Sequence, residues 1–381
     1  MKRLLFINGH MNSGGVERSL LDVLRHIDYS AYKVDLLLFE GVGDYREEIP
    51  TQVNVIFKDI TSAYGSFVKS VFKSLLSGNF FALKFRLWQQ FGLEFLLKSC
   101  FSFLHEYDAA VAYRVGFCHH VLNFVSAEKK LVWWHHGSVN MNLTQKDNFL
   151  KDCECCDKVV FVSEGIRRAV LSEFPDLEVK SAVVPNMIDS RYIIEKGVVA
   201  EERGERERTS LNLLSIGRFS PEKNYIICPD ICRRLIDSGF NVRWTMVGDG
   251  VQLETTKQKV SDMGLNDSFC FTGTKENPYV YYNAADVFVH TSLVESQSIT
   301  ILESMACGVP VVTVKSIGPL EFMTDGENGF LCENNVDMIA EKISTVFTDK
   351  ALRQKFIKNS ADTVRGYSPN VIMQRIEECL N

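Results

Sequence analysis

The sequence contains no uninterrupted apolar segment of the roughly 18 residues that a membrane-spanning helix needs. It has no low-complexity tract and no Gly-x-Gly-x-x-Gly fingerprint, and the second absence argues against a nicotinamide-binding site, which needs its glycines at fixed offsets. The apolar run after Met1 is too short for the core of a signal peptide and lacks a small-residue cleavage site. We therefore expect a cytoplasmic protein.

A disulfide framework and a structural metal site are also not predicted. The eleven cysteines are an odd number, scattered among hydrophobic segments, which is typical of reduced thiols. Cys153, Cys155 and Cys156 form one tight group, but no second pair of cysteines or histidines lies at ligand spacing from it. We predict no bound metal.

The composition is that of an ordinary soluble globular protein. Of 381 residues, 46% are hydrophobic and 24% are charged, which excludes disordered, collagen-like and coiled-coil classes. The 42 basic and 48 acidic side chains give a net charge of −6, which argues against nucleic acid as a partner. The length exceeds what a single hydrophobic core usually serves and favours two domains.

Short apolar runs that alternate with helical patterns predict an α/β fold with parallel sheets covered by helices. The alternation stops after Asp189, at a mixed-charge run over 201–208, and then resumes, so we infer two doubly wound domains. We assign 1–190 to the first domain, 191–210 to a linker, 211–365 to the second domain, and 366–381 to a C-terminal helix that packs back on the first domain. The predicted strands are 4–8, 34–39, 53–57, 109–113, 131–134, 159–162, 182–184, 211–216, 242–247, 269–271, 287–290 and 309–314.

The segment 67–103 is unusually rich in phenylalanine and basic residues. A helix of this composition can lie in a membrane interface with its cations toward anionic head groups. The alternative is a pair of core helices whose lysines extend into water. The segment therefore predicts either peripheral contact with the inner face of a membrane or additional core.

Three loops that follow predicted strands carry candidate ligand-binding groups, because ligands of open α/β sheets bind at the carboxyl ends of strands. The first is the glycine-bearing turn over 9–18, ahead of a helical pattern that begins near Ser19. The second is the turn over 217–224, in which Arg218 and Lys223 could neutralise a diphosphate. In the third, Glu295 and Glu303 flank a predicted helix start at Ser298, so both carboxylates and the N–H groups of 298–300 can border one pocket.

Together with further motifs, these loops resemble the retaining glycosyltransferases of family 4, which have the GT-B fold of two facing Rossmann-like domains. The motifs are, in chain order, Ser13-Gly14-Gly15-Val16-Glu17-Arg18; Trp134-His135-His136-Gly137-Ser138; the turn over 217–224; Val247-Gly248-Asp249-Gly250; Phe271-Thr272-Gly273; and 295–303 followed by Met305-Ala306-Cys307-Gly308-Val309-Pro310. The second domain matches almost throughout, and the first only in parts. The family commonly has a small residue and an aromatic after the first glutamate, whereas this chain has Ser296-Gln297-Ser298, so unusual contacts with the donor sugar are expected.

The resemblance implies a role for each matching residue. The expected catalytic residues are His136, with His135 as the alternative, together with Glu295 near the transferred sugar and Arg218 and Lys223 on the donor diphosphate. The expected donor-binding residues are Gly14, Gly15, Arg218, Lys223, Gly273, Ser298, Ile299, Thr300 and Glu303, the last on the ribose.

The implied activity is transfer of a sugar from a nucleotide-diphosphate sugar, with UDP as the favoured nucleotide, to a hydroxyl of a lipid-linked or cell-surface glycan. No cofactor is expected besides this donor. No Asp-x-Asp pair of the kind used by metal-dependent glycosyltransferases of the other main fold occurs. Two alternatives are a sugar-nucleotide epimerase of similar fold, which would act without an acceptor, and a non-catalytic subunit of a glycan-assembly complex.

Overall fold

A computed structural model describes residues 1–12, 14–39, 43–58, 106–114, 116–136, 146, 149–150, 153–197 and 210–381. These residues contain two sheets in which every strand runs parallel to its neighbours. The first sheet has the order β3-β2-β1-β4-β5-β6-β7 and the second β10-β9-β8-β11-β12-β13. The strands are Lys2–Ile7 (β1), Tyr32–Leu38 (β2), Asn54–Phe57 (β3), Tyr107–Ala112 (β4), Ala127–Trp134 (β5), Lys158–Phe161 (β6), Ser181–Val183 (β7), Leu211–Ile216 (β8), Val242–Val247 (β9), Phe269–Gly273 (β10), Val287–His290 (β11), Val311–Val314 (β12) and Phe330–Cys332 (β13).

Helices cover both faces of each sheet, as the nearly continuous apolar character of the strands requires. In β11 and β12, for example, every residue is buried. The described helices are Gly15–His26 (α1), Phe117–Leu122 (α2), Glu164–Glu173 (α3), Ser190–Gly197 (α4), Cys228–Asp237 (α5), Leu253–Asp262 (α6), Ile299–Ala306 (α7), Val336–Thr348 (α8), Lys350–Arg365 (α9) and Pro369–Leu380 (α10). Each sheet therefore has one hydrophobic core on either side.

The fold class predicted from the sequence is confirmed: the chain has two doubly wound, Rossmann-like domains. Each of the twelve predicted strands overlaps an observed strand, and the short β13 was not predicted. The first helix begins at Gly15 and not near Ser19, because Gly14 is extended and ends the turn. The basic segment 67–103 and the charge run 201–208 lie outside the described residues. Helix α4 occupies the start of the stretch that we assigned to the linker.

One contact between the two domains lies at the N-terminus of α3. Ser163 caps α3 through its side chain, and Glu321 of the second domain accepts hydrogen bonds from the N–H groups of Glu164 (3.2 Å) and Gly165 (2.6 Å). A carboxylate at this position satisfies unpaired N–H groups and opposes the positive end of the helix dipole. Helix α10 returns to the first domain, where Ile372 and Ile376 are buried in the core beside β1.

In the part of the chain that the structure describes, no helix is long and apolar enough to cross a membrane. Within the same residues, no three His, Cys, Asp or Glu side chains come together as a metal-binding group. Cys153 and Cys156 are instead buried in the hydrophobic core of the first domain.

Candidate functional site

A cleft of about 440 Å³ lies between the two domains at the carboxyl ends of their strands. In the second domain it opens at the point where the strand order reverses, between β8 and β11. Ligands of doubly wound sheets bind at this point, because the loops after the two strands separate and leave a crevice. The turn over 217–224 follows β8 and the loop over 291–298 follows β11, so the topology brings together two loops that the sequence singled out.

The turn over 217–224 can approach a ligand closely because two glycines pack backbone against backbone. Gly217 has φ +155°, and a Cβ atom on Gly248 would lie 1.9 Å from the carbonyl oxygen of Gly217. Only glycine fits such a contact. Arg218 and Lys223 both line the cleft from this turn.

Lys223 and Glu295 form an ion pair at the floor of the cleft. Lys223 Nζ lies 2.5 Å from Glu295 Oε1, and His290 Nε2 lies 3.1 Å from the same oxygen. Burial opposes ionisation of Glu295, but Lys223 and His290 hold its pKa well below the usual range. Glu295 is therefore a carboxylate at neutral pH. It is held by Lys223 in the turn after β8 and by His290 at the end of β11.

The N-terminus of α7 faces the cleft through Ser298, Ile299 and Thr300. The first N–H groups of a helix have no intrahelical partner and attract anions. Ser298 precedes the helix in a left-handed conformation, with φ 65°, and within the described chain its buried Oγ has no hydrogen-bond partner. The cleft is therefore lined by the N–H groups of the helix start, a hydroxyl and two cations.

Glu303 is the second carboxylate of the cleft and lies deeper in the protein. Its oxygens accept hydrogen bonds from Tyr279 OH (3.2 Å) and Tyr282 OH (3.3 Å). Burial raises the pKa of Glu303 to about 7, against the opposing effect of Arg18, which reaches the cleft from α1. The guanidinium of Arg18 lies over the rings of Tyr45 (4.8 Å), Tyr192 (5.7 Å) and Tyr279 (5.7 Å).

Of the two candidate histidines, the structure places His135 in the cleft, whereas His136 is not among the lining residues. The reason is the alternation of side chains along and beyond β5. His135 follows the face of Trp133, and its ring packs at a tilt against Tyr113 with the ring centres 4.8 Å apart, whereas His136 follows Trp134 and is exposed. Burial lowers the pKa of His135 to about 3, so the imidazole is neutral.

The cleft brings together most of the residues predicted from the sequence. His136 and Gly273 are the exceptions. Gly273 ends β10, and its carbonyl accepts a hydrogen bond from the N–H of Gly248. The next residues, Thr274 and Lys275, line the cleft instead. The predicted residues that line the cleft are Gly14, Gly15, Arg218, Lys223, Glu295, Ser298, Ile299, Thr300 and Glu303. The lining residues to which the sequence assigned no role include Arg18, Tyr45, Asn186, Tyr279 and Gln297.

Residues 200–363, which form most of the second domain, match the family of glycosyl transferases group 1. The second domain is a glycosyl transferase group 1 domain. This domain contributes the 217–224 turn, the 291–298 loop and α7 to the cleft.

Curated relatives support the same assignment. The chain is 31% identical over 155 residues to the lipopolysaccharide core biosynthesis glycosyltransferase LpsE of Rhizobium meliloti, covering 40% of this chain and 44% of that protein. It is 25% identical over 232 residues to the UDP-Gal:alpha-D-GlcNAc-diphosphoundecaprenol alpha-1,3-galactosyltransferase of Escherichia coli, covering 59% of each. The chain thus spans less than two thirds of the length of these relatives.

The two domains together have the GT-B fold. The chain superposes on TarM of S. aureus, whose crystal structure is a complex with fondaparinux, alpha-GlcNAc-glycerol and UDP, with a TM-score of 0.76 over the full length of both chains. The sequence identity is 14%, so the likeness concerns the fold. The GT-B architecture expected from the sequence is confirmed.

Proposed function

We propose that this protein transfers a sugar from a nucleotide-diphosphate sugar to a hydroxyl of a glycan acceptor, with retention of anomeric configuration. The observation that carries the proposal is the arrangement of Arg218 and Lys223, the N-terminus of α7 and the two buried glutamates around one cleft. The cleft offers groups that complement a nucleotide sugar. Cations and N–H donors complement the diphosphate, and carboxylates complement the hydroxyls of the two sugar rings.

The proposed chemistry is electrostatic. Breaking the sugar–phosphate bond places negative charge on the departing diphosphate, and Arg218, Lys223 and the N–H groups of α7 would stabilise that charge as preorganised donors. The same groups meet the charge requirement without a metal ion, so we propose a metal-independent reaction. The sugar develops oxocarbenium character, the acceptor hydroxyl oxygen attacks the carbon that the diphosphate leaves, and the hydroxyl proton passes to the departing diphosphate.

Glu295 and Glu303 have different proposed roles because their surroundings differ. Glu295, ionised beside Lys223 and His290, accepts hydrogen bonds from hydroxyls of the transferred sugar. Glu303, at the end of the cleft near Tyr279, accepts hydrogen bonds from the ribose hydroxyls of the nucleotide. Gly14 and Gly15 leave room for the diphosphate on the opposite wall of the cleft.

UDP is the proposed nucleotide and a lipid-linked or cell-surface glycan the proposed acceptor. The E. coli relative is named for UDP-Gal and for a diphosphoundecaprenol acceptor, and the TarM crystals contain UDP. The transferred sugar is proposed to be a hexose, as in that relative. The test is a thermal-shift panel of nucleoside diphosphates and their sugars. A bound ligand raises the melting temperature, and the rise grows with the ratio of the ligand concentration to its Kd. UDP compounds should stabilise most, and a uniform lack of stabilisation by every nucleotide would refute the proposal.

We expect His135, and not His136, to be the histidine that contacts the transferred sugar. Its buried Nε2 has no hydrogen-bond partner within the described chain, so a sugar hydroxyl can provide one. His135→Ala should lower the release of UDP from UDP-sugars by at least tenfold, as for a lost hydrogen bond to a buried group, whereas His136→Ala should change it less than threefold. A larger loss in His136→Ala would reverse the assignment.

Peripheral contact with an anionic membrane surface is proposed for 67–103, on the basis of its basic and aromatic composition. Liposomes with anionic lipid should retain the protein during sedimentation. A variant with Lys69, Lys73, Lys84 and Arg86 changed to glutamate should remain in the supernatant. Equal recovery of the original protein with neutral and anionic liposomes would contradict this contact.

A further inference from the structure

A row of buried polar side chains runs across the boundary between the two domains. It starts at Gln297 in the 291–298 loop of the second domain and continues through Asn186, Ser19 and Tyr113 of the first. All four residues are buried, and Gln297 is only 1% exposed. Buried polar groups of this kind are costly unless each one is hydrogen-bonded, so the row fixes how the domains meet.

Each hydrogen bond in the row has a defined direction. Gln297 Oε1 accepts from Asn186 N (2.6 Å) and from Asn186 Nδ2 (2.7 Å), and Gln297 Nε2 donates to the carbonyl of Asn186 (3.1 Å). Asn186 Oδ1 accepts from Ser19 Oγ at 2.5 Å. Because the single hydroxyl proton of Ser19 is used there, Tyr113 OH donates to Ser19 Oγ across 2.8 Å. Burial raises the pKa of Tyr113, which keeps this donor protonated.

One end of the row lies next to His135 of the first domain, and the other end lies in the loop of the second domain that carries Glu295. At one end the ring of Tyr113 packs at a tilt against His135, with the ring centres 4.8 Å apart. At the other end, Gln297 stands between Glu295 and Ser298 in the same loop. A Cβ atom on Gly318 would lie 2.9 Å from the backbone of Gln297, so the loop is also confined from behind.

We propose that Gln297 is a positioning residue, which sets the 291–298 loop of the second domain in register with His135 of the first. The proposal rests on the proposed glycosyl transfer. An aromatic side chain, common at this position in the family that the sequence resembles, cannot form the paired amide contacts with Asn186. In this chain the amide therefore links the domain that carries Glu295 to the domain that carries His135. Catalysis tolerates little displacement of the reacting groups. A change in the position of Glu295 relative to His135 should therefore lower turnover more than it weakens donor binding.

The test compares Gln297→Met, Ser19→Ala and the double variant, with Gln258→Met as a matched control. Methionine has nearly the length of glutamine and lacks its amide, and Gln258 is exposed on α6. The readouts are kcat for UDP release from UDP-glucose, UDP-galactose and UDP-N-acetylglucosamine, the calorimetric Kd for UDP, and the melting temperature. Ser19→Ala cuts the same row within the first domain and keeps Gln297, so it supplies a second variant if Gln297→Met folds poorly.

We expect each single variant to lower kcat at least tenfold while the Kd for UDP changes less than threefold. The double variant should be no worse than about threefold below the more severe single variant, because both substitutions cut one row. Gln258→Met should match the original protein. Losses that multiply in the double variant, unchanged kcat, or a Kd that weakens in step with kcat would each overturn the positioning role. If the original protein releases no UDP from any of these nucleotide sugars, the proposed function fails and the positioning role fails with it. If the original protein is active and the variants are equally active, only the positioning role is overturned.

Discussion

Lys223→Ala is expected to lower the kcat for sugar transfer by about 100- to 1000-fold, the loss that follows removal of one preorganised donor from a developing negative charge. Lys223 lies on the turn after β8, and its Nζ is held 2.5 Å from Glu295 Oε1 at the floor of the cleft. The substitution removes the charge that would neutralise the departing diphosphate. It also removes the main attraction that keeps Glu295 ionised against burial, so the sugar-binding carboxylate is weakened as well. Release of UDP from UDP-galactose measures the effect.

The matched control is Lys257→Ala, which removes a partly exposed lysine paired with Glu254 on α6, away from the cleft. Its turnover should equal that of the original protein. Circular dichroism should confirm that Lys223→Ala remains folded, because His290 still contacts Glu295 in that variant. Turnover of the folded Lys223→Ala protein within threefold of normal would remove Lys223 from the mechanism.

Glu303→Gln is expected to weaken binding of UDP-galactose by about 30- to 150-fold, which corresponds to roughly 2–3 kcal/mol for hydrogen bonds to a charged acceptor. The carboxylate accepts hydrogen bonds from ribose hydroxyls in the proposed complex, and a neutral amide accepts them less strongly. Tyr279 OH donates to one oxygen of Glu303 and Tyr282 OH to the other. In the glutamine variant Tyr279 OH can donate to the amide oxygen, while Tyr282 OH can donate to the carbonyl oxygen of Thr300 (3.1 Å) and accept from the amide N–H, so the fold should be kept. Calorimetry gives the Kd for both proteins.

The same carboxylate predicts how donor binding depends on pH. Because burial raises the pKa of Glu303 to about 7, most of it is protonated at pH 6 and most is ionised at pH 8. If the ionised form binds the ribose, affinity for UDP-galactose should rise about tenfold from pH 6 to pH 8. The diphosphate of a nucleotide sugar does not titrate in this range, and Glu303→Gln should show a flat profile. Affinity that falls with rising pH, or an equal slope in both proteins, would contradict this role.

The fold and much of the candidate site could be predicted from the sequence because they depend on local patterns. Alternating apolar runs identified the strands, and the ends of β8 and β11 gave the positions of Arg218, Lys223 and Glu295. Parallel strands in a doubly wound sheet deliver these loops to one edge, so their proximity follows from the order of elements. The start of α7 at Ile299, with Ser298 before it, also follows from local signals.

The remainder depends on contacts between distant parts of the chain. Trp133, Trp134, His135 and His136 form a run of large side chains, so their types do not reveal which face of β5 each follows, and the packing of Tyr113 decides it. Gln297 and Asn186 are 111 residues apart and belong to different domains, so no local pattern joins them.

Arg18 is a similar case. Its place in the cleft depends on tyrosines from three separate segments, Tyr45, Tyr192 and Tyr279, and only the assembled structure brings them around one guanidinium. The sequence placed Arg18 at the end of the turn over 9–18 and in the first motif, but an arginine there gives no indication of such a cage, because most arginines are solvated.

The most direct measurement of the central claim is the release of UDP from UDP-glucose, UDP-galactose and UDP-N-acetylglucosamine by the original protein and by a Lys223→Ala, Glu303→Gln double variant. We expect the original protein to release UDP from at least one of these donors, slowly with water and faster with added glycan acceptors. The folded double variant should release none above background. Absence of UDP release by the original protein from every donor, or equal release by the double variant, would show that this cleft does not carry out sugar transfer.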